Sequence, residues 1–209
     1  MINWNQETLH KFNDTLGSDA PTPGGGAAAA VVSSISAALL LMVVSLSDND
    51  ERLEKIEQML SEYLDGSYQL IDADCEGFAE VMKAYKLSTE TSEEKKNRSN
   101  EIEKALKQAS LPPENLMELS LEILTLANDL AKEGNENAWT ETIIAGNFAY
   151  SAVKASYYNI IINICDIEDE DFNAEKIDAA RRYLLLAEQQ LEELEQYLQE
   201  EVIDCRFLP

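Results

Sequence analysis

The sequence predicts an all-α protein, a single-domain bundle of about seven helices with two central, nearly uncharged helices. Apolar residues recur every three or four positions along most of the chain, and almost no segment alternates as a strand would. Two long segments are almost free of charge, although the chain carries 40 acidic and 16 basic residues. Since the chain has 209 residues, we expect residues 1–209 to form one helical domain.

Composition restricts the class of partner and the compartment. The formal net charge of −24 repels nucleic acid and anionic membrane surfaces, so neither is expected as a partner. The three cysteines, Cys75, Cys165 and Cys205, are widely spaced and form no CxxC pattern. A reduced, cytoplasmic chain without a disulfide framework or a zinc site is therefore expected. The N-terminal residues MINWNQETLHKF also lack the basic and apolar regions of a signal peptide.

The first elements are a short helix and an uncharged helix. Residues 6–16 place Leu9, Phe12 and Leu16 on one helical face. Residues 27–46 form a helix about 30 Å long, which is enough to span a bilayer. However, the flanks are acidic and the composition leans to Ala and Ser, so the segment is interpreted as a central buried helix rather than a membrane span.

The remaining elements follow from periodicity and from helix-terminal signals. A long amphipathic helix is predicted from Glu51 to about Tyr85. Thr91 and Glu94 have the form of a capping box for the next helix. That helix pauses at residues 111–113, which read Leu-Pro-Pro, and resumes until residues 134–135. A second uncharged helix covers residues 142–165, and a last helix covers about 173–202.

Small side chains in the two uncharged helices predict close helix packing. They recur at helical spacing in both segments: Ala30, Ser34, Ala37, Ala38, Ala145, Ala149, Ala152 and Ser156. A helix that is apolar all round must be surrounded, and one chain of this length surrounds two such helices with difficulty. We therefore expect a homodimer; packing inside a monomer is the alternative.

Three consecutive glycines open the first uncharged helix. Pro21 and Pro23 stiffen the approach, and Gly24, Gly25 and Gly26 follow directly. Glycine lets backbone approach a ligand closely, and the free N–H groups of a first helical turn favour an anion or a developing negative charge. The alternative interpretation is a plain tight turn into a helix.

Asp74 is the candidate acid or base. Within LIDADCEGFAEVMKAYKL it shares a face with Leu70, Ile71 and Phe78, whereas Asp72 falls on the polar face. Burial would raise its pKa, which suits a general acid or base near neutral pH. A buried aspartate satisfied by a helix terminus or a lysine is the equal alternative. Adjacent acidic pairs elsewhere are interpreted as solvated faces, so no metal site is expected.

Three segments carry a resemblance to a known family. SDAPTPGGGAAAA, LIDADCEGFAEVMKAYKLS and EGNENAWTE resemble, in the same order, the formiminotransferase-cyclodeaminase C-terminal family, which includes methenyltetrahydrofolate cyclohydrolases. The resemblance implies an all-α dimer. Its activity would be elimination of ammonia from 5-formiminotetrahydrofolate or hydrolysis of 5,10-methenyltetrahydrofolate, with a tetrahydrofolate derivative as substrate. A folate with a polyglutamate tail is also compatible.

The resemblance assigns roles to individual residues. It implies proton transfer by Asp74 and Glu141. It implies substrate binding by Pro23, Gly24, Gly25, Gly26, Asn137, Asn159 and Asn163. A polyglutamate tail could use a cluster of basic residues, for which a solvated mixed-charge face is the alternative: Lys83, Lys86, Lys95, Lys96, Arg98, Lys104 and Lys107.

The chain also departs from the family pattern. Ala27 replaces a usual Ser after the glycines, Thr140 and Glu141 replace a usual Ser-Asp, and Ile161 replaces a usual basic residue. These departures favour a second hypothesis, in which the fold serves as a non-catalytic folate- or anion-binding or scaffold protein. The retained glycines and Asp74 favour an enzyme.

Overall fold

The computed structural model describes residues 2–48 and 50–203, with side chains up to Glu201. Within these residues every regular element is helical, which confirms the all-α prediction. Short 3-10 turns at Trp4–Gln6 and Glu136–Ala138 accompany the main helices, which are α1 (Leu9–Leu16), α2 (Gly25–Ser45), α3 (Glu51–Tyr85), α4 (Ser92–Ala109), α5 (Leu111–Glu133), α6 (Trp139–Ile164) and α7 (Glu170–Leu198).

Helix α2 is central, as predicted, because α3, α5 and α6 all pack against it. It is long and apolar enough to cross a membrane, yet 56% of its most apolar window is buried inside the bundle. Its inner side carries mostly small residues, among them Ala30, Ala37 and Ser36, none of which has any exposed surface. Those small side chains let the neighbouring helix axes approach closely.

Helix termini follow local capping chemistry. Thr91 and Glu94 form the predicted capping box at the start of α4, and the predicted pause falls at Ser110, between α4 and α5. The predicted first helix, 6–16, is wrong at its start. Its α-helical part begins only at Leu9, because the Thr8 side chain caps it by accepting from the Lys11 N–H. Likewise α7 begins at Glu170 rather than 173, since Asp169 caps it.

Buried hydroxyl groups fix the register of α2 against its neighbours. Ser67 of α3 and Ser120 of α5 both contact the Ser33 hydroxyl, at 3.2 and 3.0 Å, and all three side chains are fully buried. Ser36 donates to the carbonyl of Ala145 in α6 at 2.6 Å. These four hydroxyl groups are thereby paired, which avoids a penalty of roughly 1–3 kcal/mol per unsatisfied group.

The sides of α2 and α6 that point away from α5 form one exposed apolar face. Ser33 points toward α5, and a Cβ on Gly146 would meet Leu194 of α7 and Leu124 of α5. Residues two positions further along each helix therefore point outward. We define the apolar face by its partly exposed members: Ala28, Val32, Ile35, Leu39, Met42, Ile144, Phe148, Ser151, Ala155, Tyr158 and Ile162. None of these carries a charge, although the chain as a whole is strongly acidic.

Candidate active site

The carboxylate of Asp74 lies directly against the N-terminus of α2. Its Oδ2 accepts a hydrogen bond of 2.9 Å from the Ala27 N–H, in the first turn of that helix. Asp74 comes from the middle of α3, which runs antiparallel to α2, as the contact between Ser67 and Ser33 also shows. The structure thus brings together the acid and the glycine segment that the sequence singled out separately.

The three glycines are not equivalent. A Cβ on Gly26 would lie 2.0 Å from Asp74 Oδ1 and 2.5 Å from its Cγ, so the carboxylate can occupy its position only because residue 26 lacks a side chain. A Cβ on Gly24 would meet nothing within 4 Å, and one on Gly25 would meet only Asn159 Oδ1 at 3.9 Å. None has a positive φ. The fold therefore requires Gly26, while Gly24 and Gly25 border open space.

Polar groups around this space have unused hydrogen-bonding capacity. Gly25 and Gly26 begin α2, and their N–H groups have no acceptor in the described part of the chain. Asn159 of α6 donates its amide to the Ala155 carbonyl at 2.9 Å, which leaves its Oδ1 beside Gly25. Two donors, a carboxylate and an amide oxygen therefore lie against the first turn of α2, at the positive end of its dipole.

Burial dominates the electrostatics of Asp74. Removal from water raises the pKa of its carboxyl group, and the hydrogen bond from Ala27 only partly opposes that shift. The apolar cluster beneath includes Trp4, Phe12 and Ile71, all buried. Cys75, next along α3, has a pKa raised to about 12 by burial first and by the charge of Asp74 second, so its thiol stays protonated and is no nucleophile.

The N-terminal residues close one side of this cluster, which the sequence did not predict. Asp72 accepts from the backbone N–H of Trp4 at 2.6 Å and from the Asn5 side chain at 2.7 Å. It is only partly exposed, so its placement on the polar face was wrong in part. Conversely Phe78, expected on the inner face with Asp74, is 42% exposed. The N-terminal Trp was the available signal, because an aromatic this large usually packs somewhere.

Two other predicted binding residues lie near this end or along α6. Pro23 is buried just before the glycines. Asn163 donates to the carbonyl of Ala109 at 2.8 Å and so connects α6 to the end of α4. Asn159 is thus the predicted asparagine that directly borders the glycines, and Asn163 lies one helical turn further along.

Asn137 and Glu141 lie at the other end of the molecule. Helices α2 and α6 are antiparallel, since Gly25 lies beside Asn159 and Ser36 bonds to Ala145. Glu141 is therefore about 27 Å from Asn159 along α6, at 1.5 Å per residue. A polar cavity of about 510 Å³ there includes Asn137 and Asn135. Within one chain the structure does not bring Glu141 to Asp74.

Glu141 is also electrostatically different from Asp74. It accepts a hydrogen bond from the Thr140 hydroxyl at 2.7 Å, and this bond is the main cause that lowers its pKa. Among the described residues, no group of three or more His, Cys, Asp or Glu side chains is arranged to hold a metal ion, and this includes both ends of α2.

Comparison with known proteins decides the family. A profile described as Formiminotransferase-cyclodeaminase matches residues 8–182. The chain belongs to this family. The family resemblance inferred from the three segments is therefore confirmed.

Individual relatives differ in how much of their length this chain matches. A methenyltetrahydrofolate cyclohydrolase of Methylorubrum extorquens is 34% identical over 178 residues, which cover 82% of this chain and 86% of that protein. The formimidoyltransferase-cyclodeaminase of Sus scrofa is 31% identical over 106 residues, 51% of this chain but only 20% of that longer protein. The crystal structure of a formiminotetrahydrofolate cyclodeaminase from Thermotoga maritima superposes with a TM-score of 0.85 at 26% identity, covering 94% of this chain and 98% of that one.

Proposed function

We propose that the protein is a folate one-carbon enzyme that acts on the carbon between N5 and N10 of tetrahydrofolate. The observation that carries this proposal is the contact between Asp74 and the first turn of α2, because it joins a proton-transferring group to donors that stabilise negative charge. Hydrolysis of 5,10-methenyltetrahydrofolate to 10-formyltetrahydrofolate is the reaction we favour, since the relative that matches most of the chain bears that activity in its name.

Acid–base catalysis by the carboxylate fits this reaction. Water adds to the bridging carbon and loses one proton to the Asp74 carboxylate, which gives a tetrahedral adduct. The bond from carbon to N5 then breaks: N5 takes the proton from Asp74, and the hydroxyl proton of the adduct is released to water as the formyl C=O forms on N10. The raised pKa of Asp74 helps it to accept and return a proton near neutral pH. The N–H groups of Gly25 and Gly26 would hold the oxygen of the adduct or a substrate carboxylate.

Deamination of 5-formiminotetrahydrofolate is the second candidate, and the superposition on the Thermotoga maritima cyclodeaminase favours it. There N10 attacks the formimino carbon and its proton passes to the imino nitrogen; the amino group of the resulting adduct takes a second proton, and ammonia leaves to give the methenyl compound. Asp74 would supply that proton. Both reactions pass through a tetrahedral adduct, and both need proton transfer as the adduct forms and as it breaks down. The same residues can therefore serve either reaction.

The proposal includes a cytoplasmic homodimer and a folate that can be polyglutamylated. The uncharged apolar face supports the dimer, because such a face is the part of a strongly acidic chain that least repels a second copy. A groove of about 330 Å³ between α3 and α4 supports the longer tail, since Lys83 and Lys104 line it. Glu80 and Glu101 line it as well, so we expect only a small gain in affinity from additional glutamates.

Absorbance of 5,10-methenyltetrahydrofolate tests the activity directly. Wild type is expected to consume this compound faster than buffer does, or to produce it from 5-formiminotetrahydrofolate. Asp74→Asn should lower kcat by about 10²–10⁴-fold, the usual contribution of a general acid or base. Its amide oxygen can still accept from Ala27, so the circular dichroism spectrum and the melting temperature should show an intact fold.

The rival hypothesis, a non-catalytic folate- or anion-binding or scaffold protein, makes a different prediction. In that case neither folate substrate changes in absorbance above buffer, while calorimetry with tetrahydrofolate gives a saturable heat. If wild type converts a folate substrate and Asp74→Asn converts it equally well, the catalytic role of this carboxylate is contradicted. The assignment of the reaction would still stand.

A further inference from the structure

The N-terminal segment, which we define as residues 2–16, packs on the bundle through two aromatic side chains. Trp4 is 5% exposed and Phe12 is 4% exposed, and they are the only buried residues of this segment. Their rings pack edge to face, with centroids 6.1 Å apart. Both rings belong to the buried cluster at the start of α2, so this segment covers the cluster on one side.

Asp72 fastens the N-terminal segment to α3. Its two carboxylate oxygens accept from the Trp4 N–H at 2.6 Å and from the Asn5 side-chain amide at 2.7 Å. Two residues further along α3, Asp74 accepts from the Ala27 N–H at 2.9 Å. One short stretch of α3 therefore holds two different segments, the N-terminal segment through Asp72 and the first turn of α2 through Asp74.

Trp4 shares its cluster with the residues that position Asp74. Ala27, whose N–H binds Asp74, is fully buried in this cluster, and Ile71, one turn before Asp74 on α3, is 3% exposed. A tryptophan side chain buries about 150–250 Å². Removal of the Trp4 ring would therefore open this cluster to water beside the carboxylate.

We propose that Trp4 is a positioning residue for the site at Asp74, that Asp72 holds it in place, and that together they keep water from the buried side of the Asp74 carboxylate. The alternative is a purely structural role, in which Trp4 stabilises the bundle and leaves the carboxylate unaffected. This inference rests on the proposed function for its effect on turnover, whereas the effect on Asp74 can be measured without a folate.

Burial, rather than a charged partner, is the largest cause of the raised pKa of Asp74. Helix α2 carries no charged residue, and α6 presents the uncharged amide of Asn159 near this end. The charged and titratable groups of the other surrounding elements are Glu7 paired with Lys11, His10 paired with Asp14, exposed Asp19, Glu114 paired with Lys176, Lys154 bonded to Tyr150, and Asp72, Cys75 and Glu76 on α3. Exclusion of water therefore controls the proton affinity of Asp74, and Trp4 is the largest side chain in the cluster that excludes it.

Carboxyl ¹³C NMR of protein labelled at aspartate tests the inference without any substrate. The signal of Asp74 is assigned by its absence from Asp74→Asn. In Trp4→Ala its titration should move down toward the ordinary aspartate range, because water then reaches the carboxylate. Trp4→Phe keeps a ring against Phe12 and should titrate close to wild type. An unchanged titration in Trp4→Ala would overturn the inference.

Leu60→Ala is the matched control for a loss of stability. Leu60 is fully buried and lies on α3, as Asp74 does, but it belongs to the other buried cluster and is about 21 Å away along the helix. This variant should lower the melting temperature without moving the titration of Asp74. If it moved the titration as far as Trp4→Ala does, general destabilisation would explain both and the inference would be wrong. Trp4→Leu, a milder change, should shift the titration in the same direction as Trp4→Ala but by less.

Fluorescence tests whether Asp72 holds Trp4. In a Trp139→Phe background Trp4 is the remaining tryptophan, so the emission reports its surroundings alone. Asp72→Ala should shift this emission to longer wavelength and should lower the pKa of Asp74. Glu76→Ala is the control, because Glu76 also lies two residues from Asp74 and carries the same charge, but is exposed. It should leave the emission unchanged; equal effects of the two substitutions would contradict the role of Asp72.

Turnover connects this inference to the proposed function. In Trp4→Ala the acid limb of the pH profile of kcat/KM should move to lower pH, and kcat at neutral pH should fall roughly tenfold, because Asp74 then binds its proton less tightly. Trp4→Phe should retain most of kcat. If the NMR titration shifts but wild type converts neither folate, the proposed function fails while the effect of Trp4 on Asp74 is supported. An active wild type whose pH profile Trp4→Ala reproduces would overturn the positioning role.

Discussion

The two ends of α2 both carry backbone polar groups, but these groups are hydrogen-bonded within the protein at one end and unpaired at the other. At its C-terminal end the protein satisfies its own groups: Asn135 donates its N–H to the Ser47 hydroxyl at 2.7 Å and its side-chain amide to the Leu46 carbonyl. At its N-terminal end the N–H groups of Gly25 and Gly26 have no described acceptor. The difference teaches that polar groups which the fold leaves unpaired remain available to a ligand, while equally polar but paired groups stabilise the fold.

The largest effect on activity is expected when a methyl group is added at the N-terminal end of α2. Gly26→Ala places a Cβ where Asp74 now lies, so the carboxylate must move and lose the Ala27 N–H. We expect kcat/KM to fall about 10²-fold, as for a displaced catalytic group, and the free energy of unfolding to fall by about 1–3 kcal/mol. Steady-state kinetics and urea denaturation measure the two quantities.

Gly24→Ala is the matched control for that substitution. Its Cβ meets nothing within 4 Å, so stability should stay within about 0.5 kcal/mol of wild type. If Gly26→Ala behaved like Gly24→Ala in both measurements, the close approach of Asp74 to α2 would not matter for function.

At the C-terminal end a comparable change should affect stability alone. Ser47→Ala removes the hydroxyl that accepts from the Asn135 N–H, which should lower the free energy of unfolding by about 1 kcal/mol. We expect kcat to change less than twofold when assayed well below the melting temperature. A loss of kcat without a loss of stability would contradict the assignment of this end of α2 to structure.

The smallest effect concerns the pH dependence of stability. Because the pKa of Asp74 is raised in the fold, the folded state binds its proton more tightly than the unfolded chain does, and stability from this group is lost as pH rises through the raised value. Asp74→Asn should therefore be more stable than wild type at pH 7, and the gap should close as pH falls toward the ordinary aspartate range. Urea denaturation of both proteins over this range measures the gap; a constant gap would mean that Asp74 titrates normally.

Periodicity predicted the helices well because it reports burial, which is what fixes them. The capping box at Thr91 and the break before Pro112 could also be predicted, since both depend on local sequence. The start of α1 was not predicted correctly, because Thr8 gives a weaker cap signal than the apolar pattern around it. Asp74 could be chosen from its position on a helix face. Its partner Ala27 could not, because no local pattern reports which helix terminus an acid will meet.

Residues with roles inferred from resemblance were predicted as a set without a geometry. No pattern in the sequence indicated that Asn159 borders Gly25 while Asn137 lies at the far end of the bundle. That separation depends on α2 and α6 running antiparallel, which the buried bond from Ser36 to Ala145 makes visible. Only a folded chain shows that the predicted site residues fall into two groups.

The thiol of Cys75 lies one residue from the proposed proton carrier, yet with a pKa near 12 it is almost wholly in the unreactive form at physiological pH. Peroxide and alkylating agents need a thiolate, so they leave this sulfur intact while they modify Cys165, which is exposed. Oxidative damage to the protein should therefore accumulate at the end of α6 long before it reaches the interior beside the carboxylate.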